Sequence, residues 1–185
     1  VFAEALRISP EFGSLGDMDK TKIMFVCTGN ICRSPLAQAV FEHHARLRGL
    51  EDRFVVESSG LQSFHVGEQA DNRMRSVARE HGVRLDHLAR QVQPRDLRDY
   101  DFVLAMDRGH LQELRRMTGG EPELTDKVRL FGEFDPAAEK ATEVPDPYYG
   151  GIDGFEQVFE IVDRTARNLM EQLVEADSSV TRGRR

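Results

Sequence analysis

Short apolar runs alternate along this chain with longer stretches whose apolar residues recur at helical spacing. Ile23–Val26 is a four-residue apolar run that ends at Cys27 and a glycine turn. A run this short, bounded by turn residues, reads as a strand. Ser34-Pro35 then opens a helix, Ser34 as N-cap and Pro35 at the first helical position. Its apolar stripe is Leu36, Val40 (or Ala39), Phe41 and Leu47, and Gly49 closes it. Phe54–Val56 begins a second strand that runs out at Ser58-Ser59-Gly60. Asp71 caps a helix to about His81, with Met74, Val77 and Ala78 inward and Gly82 as its stop. Phe102–Ala105 is a third strand, followed by Asp107 as the cap of a helix carrying Leu111, Leu114 and Met117. Val128–Phe131 is a fourth. After a Pro/Gly-rich loop, Asp135–Gly154, a last helix bears Phe155, Val158, Phe159, Val162, Ala166 and Leu169.

This alternation predicts an α/β fold: one domain, a four-stranded parallel sheet, and helices on both faces. In such folds ligands bind beyond the carboxyl ends of the strands. The ends of the chain fall outside the pattern. Residues 1–17 include Ser9-Pro10-Glu11-Phe12-Gly13-Ser14, which has the composition of a linker or tag. The domain is then expected over 18–175, with 176–185 a polar, disordered tail.

Composition narrows the function. With 185 residues, 39% hydrophobic and 31% charged, the chain suits one soluble domain. A net charge of −7 argues against a general nucleic-acid binder. No apolar run approaches membrane-spanning length, and no secretory leader is evident, so a cytoplasmic protein without membrane contact is expected. The two cysteines, Cys27 and Cys32, are too few for a disulfide framework and have no companions for a metal site. They read as reduced thiols, and neither a metal nor a cofactor is expected.

The chemistry concentrates in the first strand-to-helix turn, Cys27-Thr28-Gly29-Asn30-Ile31-Cys32-Arg33-Ser34. A short loop wrapped onto a helix start turns successive amides inward and forms a nest for an anion. Cys27, at the strand end, lies beneath that anion, in line with phosphorus. Arg33 can lay a planar fork on two phosphoryl oxygens. The same positive field favours a thiolate over a thiol. Gly29 allows close backbone approach, and Asn30 tolerates a left-handed conformation. No Gly-Lys-Ser/Thr ending follows, so this is not a nucleotide-binding loop. Cys32 has two readings, a small filler beneath the loop or a second thiol able to trap oxidised Cys27.

A phosphocysteine mechanism also needs an acid for the leaving oxygen. Asp135-Pro136 and Asp146-Pro147 both lie in the long loop. Asp146 is favoured, because Pro145 and Pro147 stiffen it and Tyr148-Tyr149 follow as an aromatic wall. Asp135 reads as a turn residue. Asp107 reads as a helix cap that supports the loop, and His43, His44 and His110 as solvated helix residues.

Val26–Pro35 together with Asp146–Gly150 resembles the low-molecular-weight protein tyrosine phosphatases, above all their bacterial members. The resemblance runs from about Lys22 to about Val174 and takes in His81-Gly82, His87, Ala89-Arg90-Gln91 and Met106-Asp107. It implies Cys27 as nucleophile, Arg33 as clamp and Asp146 as general acid. It also implies that Ser34 stabilises the thiolate, and that Asn30, Ser58 and His87 brace the loop. Thr28, Ile31, Phe64, His65, Tyr148 and Tyr149 would form the pocket rim. Phe64 replaces a common tryptophan, and Ser59 a small alanine or glycine. The implied activity is hydrolysis of phosphotyrosine in a protein substrate, with a bacterial tyrosine kinase as a partner. Relatives selective for phosphoarginine carry a small polar residue at the Ile31 position and lack the double tyrosine; an arginine phosphatase is thus the alternative, and a catalytically weak phosphotyrosine-binding module a further one. The arsenate reductases of this fold need further cysteines downstream, and none follows Cys32.

Overall fold

In the computed structural model, residues 20–138 and 142–182 are described, the last five by backbone alone. The segment 1–17, read above as a tag, lies outside them. The sheet has four parallel strands in the order β2-β1-β3-β4. They are β1 (Thr21–Cys27), β2 (Phe54–Gly60), β3 (Phe102–Ala105) and β4 (Val128–Leu130). Strand β1 is central, and its side chains explain the layering. Ile23 and Phe25 point into one apolar layer, Met24 and Val26 into the other, and all four are fully buried. A strand apolar on both faces needs cover on both, which parallel sheets obtain from their crossover helices.

Helices α1 (Arg33–Leu47), α2 (Asn72–Glu80) and α6 (Ile152–Arg182) cover the first face. Phe25 meets Phe131 edge-on at 5.2 Å, and Phe41 meets Phe54 at 5.1 Å, close to the favoured aromatic geometry. Helices α3 (Asp96–Asp99) and α4 (Arg108–Met117) cover the second face through Leu97 and Leu114. A short α5 (Pro122–Lys127) leads into β4.

Several local expectations change. The α1 N-cap is Cys32, not Ser34; Ser34 is already helical, and its hydroxyl is turned to the loop. Leu47 ends α1 in solvent, 71% exposed, so the apolar stripe stops at Ala45. Helices α3 and α5 carry no apolar periodicity in sequence, being four and six residues long. Helix α6 continues to Arg182, past Ala176 where structure was expected to end. Asp71 and Asp107 do cap α2 and α4, accepting from Arg73 N and His110 N. No described helix is long and apolar enough to cross a membrane.

Candidate active site

The site forms where β1 and β3 end side by side. Val26 pairs with Ala105, which sets Cys27 next to Met106 and Asp107. Between β1 and α1 the chain makes one tight loop, and its carbonyls are held outward. Cys27 O and Thr28 O accept from Leu61 N and Gln62 N, each at 2.9 Å. Ile31 O accepts from Asp71 N at 2.8 Å, and Asn30 O from His87 Nε2 at 3.1 Å. The N–H and C=O of a trans peptide point opposite ways. Tying these carbonyls to outer partners therefore turns the next amides toward the inside of the loop, as an anion nest requires. Two glycines make room for this. A Cβ on Gly60 would lie 2.8 Å from Thr28 O, and one on Gly29 would lie 2.9 Å from His65 Cδ2.

Asn30 is the keystone of the loop. It is fully buried and left-handed, φ 58°, a conformation asparagine tolerates better than most residues. Its Nδ2 donates to Ser34 Oγ (2.9 Å) and Ser58 Oγ (3.0 Å). Its Oδ1 accepts from His87 Nε2 (3.0 Å) and Arg90 N (2.9 Å). Both hydrogens and both lone-pair directions of the amide are thus in use. Burial lowers the His87 pKa, the largest influence on it, so the ring stays a neutral donor. Ser58 Oγ in turn donates to Gln38 Oε1 at 2.8 Å, tying the network to α1.

Cys27 Sγ lies 3.0 Å from Ser34 Oγ, and Ser34 Oγ lies 3.2 Å from Ser59 O. Ser34 has one proton, so its two partners alternate. A Cys27 thiol donates to Ser34 while Ser34 donates to Ser59 O; a thiolate receives the Ser34 proton instead. Cys32, also a free thiol, is buried in the main core cluster. Burial first, then the Asp71 charge, pushes its thiol well above the ordinary cysteine range. That supports a packing role for Cys32 at neutral pH.

Arg33 is 3% exposed, and both of its terminal nitrogens are engaged. Nη1 donates to Asp107 Oδ2 (2.9 Å) and Val144 O (3.1 Å). Nη2 donates to Asp146 Oδ2 (3.0 Å) and more weakly to Thr28 Oγ1 (3.4 Å). The chain after β4 brings Asp146 here. Thr142 bridges to Gly132 and Val144 N donates to Met106 O, so 142–146 crosses the end of β3. Tyr148 N closes a turn on Asp146 Oδ1 at 3.1 Å. Arg73 holds the turn from the other side, donating to Tyr148 O at 3.1 Å and lying over the Tyr148 and Phe155 rings.

Cys27, Arg33 and Asp146, the residues expected to serve as nucleophile, clamp and acid, thus lie together at the ends of β1 and β3. Of the rim residues, Tyr148 packs against Tyr149 and faces His65, with ring centroids 5.0 and 6.5 Å apart. Ile31 is half-buried beside them, while Phe64 and Tyr149 stand out in solvent. Three residues have roles the sequence did not disclose. Asp135 is buried and takes two 2.8 Å bonds from Arg164 of α6, so it is an anchor as well as a turn residue. His44 is not solvated: its Nε2 lies 2.8 Å from Asp163 Oδ1 of α6. His110 is likewise not solvated; it is buried, with Nε2 2.8 Å from Thr28 Oγ1. Its one sequence signal is the spacing Asp107-x-x-His110, which puts both at the start of one helix face.

Comparison with known proteins gives the family. The model of the low molecular weight phosphotyrosine protein phosphatases matches residues 22–179. A Streptomyces coelicolor low molecular weight protein-tyrosine-phosphatase is 46% identical over 80% of this chain and 91% of its own. A protein tyrosine phosphatase from Entamoeba histolytica, solved with Hepes in the active site, superposes with a TM-score of 0.80 at 36% identity, covering 85% of this chain and 99% of that one. A drosophila arginine phosphatase superposes with a TM-score of 0.76 at 32% identity, over 83% and 98%. The chain belongs to the low-molecular-weight protein tyrosine phosphatase family.

Proposed function

We propose that this protein hydrolyses phosphotyrosine in protein substrates through a phosphocysteine at Cys27, and that residues 18–175 form the phosphatase domain. The observation that carries this is the meeting of Cys27, Arg33 and Asp146 across the ends of β1 and β3. The phosphoryl group enters the loop over Cys27 Sγ, held by the amides and Arg33. The thiolate attacks phosphorus in line, and the P–O bond to the phenol oxygen breaks. Asp146, protonated in this step, gives its proton to the departing oxygen. In the second step the Asp146 carboxylate takes a proton from water, whose oxygen attacks the phosphocysteine and releases Sγ and inorganic phosphate. The Ser34 hydroxyl donates to sulfur whenever sulfur is the leaving group or the free thiolate. Thr28, Gly29, Ile31 and Cys32 shape the cradle, and Asn30, Ser58 and His87 hold it rigid, so that it is organised before substrate arrives.

Specificity follows from depth and wall. Ile31, His65 and Tyr148 offer an apolar and aromatic side to a flat phenyl ring, with Phe64 and Tyr149 at the outer rim. The phosphate lies at the base, where a short phosphoserine does not reach. The similarity to an arginine phosphatase makes phosphoarginine the competing substrate, and the apolar Ile31 and double tyrosine support phosphotyrosine over it. A tyrosine kinase of the same cell would supply the substrates. A reducing cytoplasm suits the two free thiols. Rates on phosphotyrosine, phosphoarginine and phosphoserine peptides test the assignment, with Cys27→Ser as control. Phosphotyrosine should be fastest, and Ile31→Thr should raise phosphoarginine turnover relative to it. A wild type faster on phosphoarginine would overturn the substrate and leave the phosphatase class.

A further inference from the structure

His110 is a buried titratable group that the chemistry above leaves unused. It is 5% exposed, and its Nε2 lies 2.8 Å from Thr28 Oγ1. Its Nδ1 has no hydrogen-bond partner among the described residues, although Asp107 Oδ1 is 3.1 Å away, off the line of a good bond. Asp107 Oδ1 already accepts from His110 N at 2.8 Å, and Asp107 Oδ2 accepts from Arg33 Nη1 at 2.9 Å. Burial lowers the imidazole pKa to about 4, so the ring is neutral and carries one proton.

Where that proton sits decides what the ring does. A proton on Nε2 would leave a buried Nδ1 lone pair facing a carboxylate oxygen, two acceptors in contact. A proton on Nδ1 faces the Asp107 charge favourably, and Nε2 becomes an acceptor. The Thr28 hydroxyl then donates to Nε2, which leaves the Thr28 oxygen lone pairs for Arg33. Nη2 of Arg33 has two hydrogens: one goes to Thr28 Oγ1, the other to Asp146 Oδ2. On the phosphatase reading, a phosphoryl oxygen takes over the hydrogen on Asp146. The hydrogen on Thr28 stays in place and keeps the guanidinium plane fixed during the exchange.

We propose that His110 is a positioning residue for the phosphate clamp, fixing Arg33 Nη2 through the Thr28 hydroxyl while Asp107 fixes Nη1 directly. This rests on the phosphatase reading of the site. It deepens that reading by placing anion affinity partly in the second face of the sheet, on α4.

The test is a double-mutant cycle on the full chain with p-nitrophenyl phosphate as substrate and inorganic phosphate as competitive inhibitor. His110→Phe keeps the ring and removes the acceptor, and Thr28→Val keeps the shape and removes the hydroxyl. Each should raise KM and weaken phosphate inhibition by roughly 3–10-fold, the range of one lost hydrogen bond. The double variant should be no worse than the worse single, because both break the same chain. His110→Gln, whose amide oxygen can accept from Thr28, should recover most of the affinity. Multiplying losses in the double variant, or no recovery in His110→Gln, would overturn the proposal. Should His110→Phe not fold, Thr28→Val against Thr28→Ser carries the test: only the serine should retain phosphate affinity, and equal affinities would overturn it. Wild-type hydrolysis that disappears in Cys27→Ser checks the underlying reading separately. An inactive wild type would remove that reading, whereas an active one with additive losses would remove only the role of His110.

Discussion

Arg33 Nη2 donates to Asp146 Oδ2 at 3.0 Å, so the carboxylate proposed as general acid rests on the guanidinium proposed to receive the substrate. The carboxylate occupies a position that a phosphoryl oxygen needs, and the two anions compete for one guanidinium. Asp146→Asn should therefore lower kcat on aryl phosphates by roughly 10²–10⁴-fold, the worth of a positioned acid. Asp146→Ala should in addition bind inorganic phosphate several-fold more tightly, since its rival is gone. Steady-state kinetics with phosphate inhibition measure both effects. Weaker phosphate binding in Asp146→Ala would show that the carboxylate holds the clamp open instead of competing with substrate.

Asn30→Ala should damage fold and activity together. The substitution removes four hydrogen bonds, leaves Ser34, Ser58 and the Arg90 amide short of a partner, and forces alanine into φ 58°. A stability loss of about 2–4 kcal/mol is expected from unpaired buried groups and the left-handed strain. Activity should fall by tenfold or more even well below the melting temperature. Chemical denaturation paired with kinetics checks this; full activity in a destabilised variant would mean that the loop holds its shape without Asn30.

Asp135 is the second aspartate of the long loop, and its predicted behaviour is the reverse of Asp146. Arg164 bonds hold its carboxyl below the usual aspartate range. A depressed folded pKa stabilises the protein above the unfolded value of about 4 and loses that contribution as pH falls through the folded value. Asp135→Asn should cost about 1–2 kcal/mol near neutral pH, moderated because Arg164 is partly in solvent, and the difference from wild type should shrink in acid. kcat should change little. Melting curves from pH 7 down to acid, with activity at neutral pH, decide it.

Much of this architecture is legible in the sequence because each strand is an apolar run cut off by turn residues. Phe102–Ala105 opens sharply after Asp101 and has the bounds of β3, with only Met106 between it and Asp107. The phosphate loop is legible because its chemistry is contiguous: Cys27, Asn30, Arg33 and Ser34 lie within eight residues. Interactions between distant segments are not. Nothing in the sequence near Asp135 points to Arg164, and nothing near His110 points to Thr28, 82 positions away. Ser34 illustrates a different failure. A serine before Pro35 has the local features of an N-cap, but the loop needs its hydroxyl for Cys27 and Asn30, and the tertiary contact prevails over the local preference. Helices α3 and α5 escape because one or two buried residues each, Leu97 and Leu124 among them, are too few to set a period.

A phosphoryl group passing through Cys27 is the step on which every proposed role at this site depends. Asp146→Asn, mixed rapidly with excess 2,4-dinitrophenyl phosphate and quenched, should accumulate a phosphoenzyme, because this phenolate leaves without protonation while the water-activating carboxylate is missing. Intact-mass analysis followed by peptide mapping should show one added phosphoryl group, on the peptide carrying Cys27, and none in Cys27→Ser with Asp146→Asn. A phosphoryl group found on Cys32, Ser34 or another residue, or product release with no phosphoenzyme at any time and unchanged turnover, would contradict Cys27 as the nucleophile.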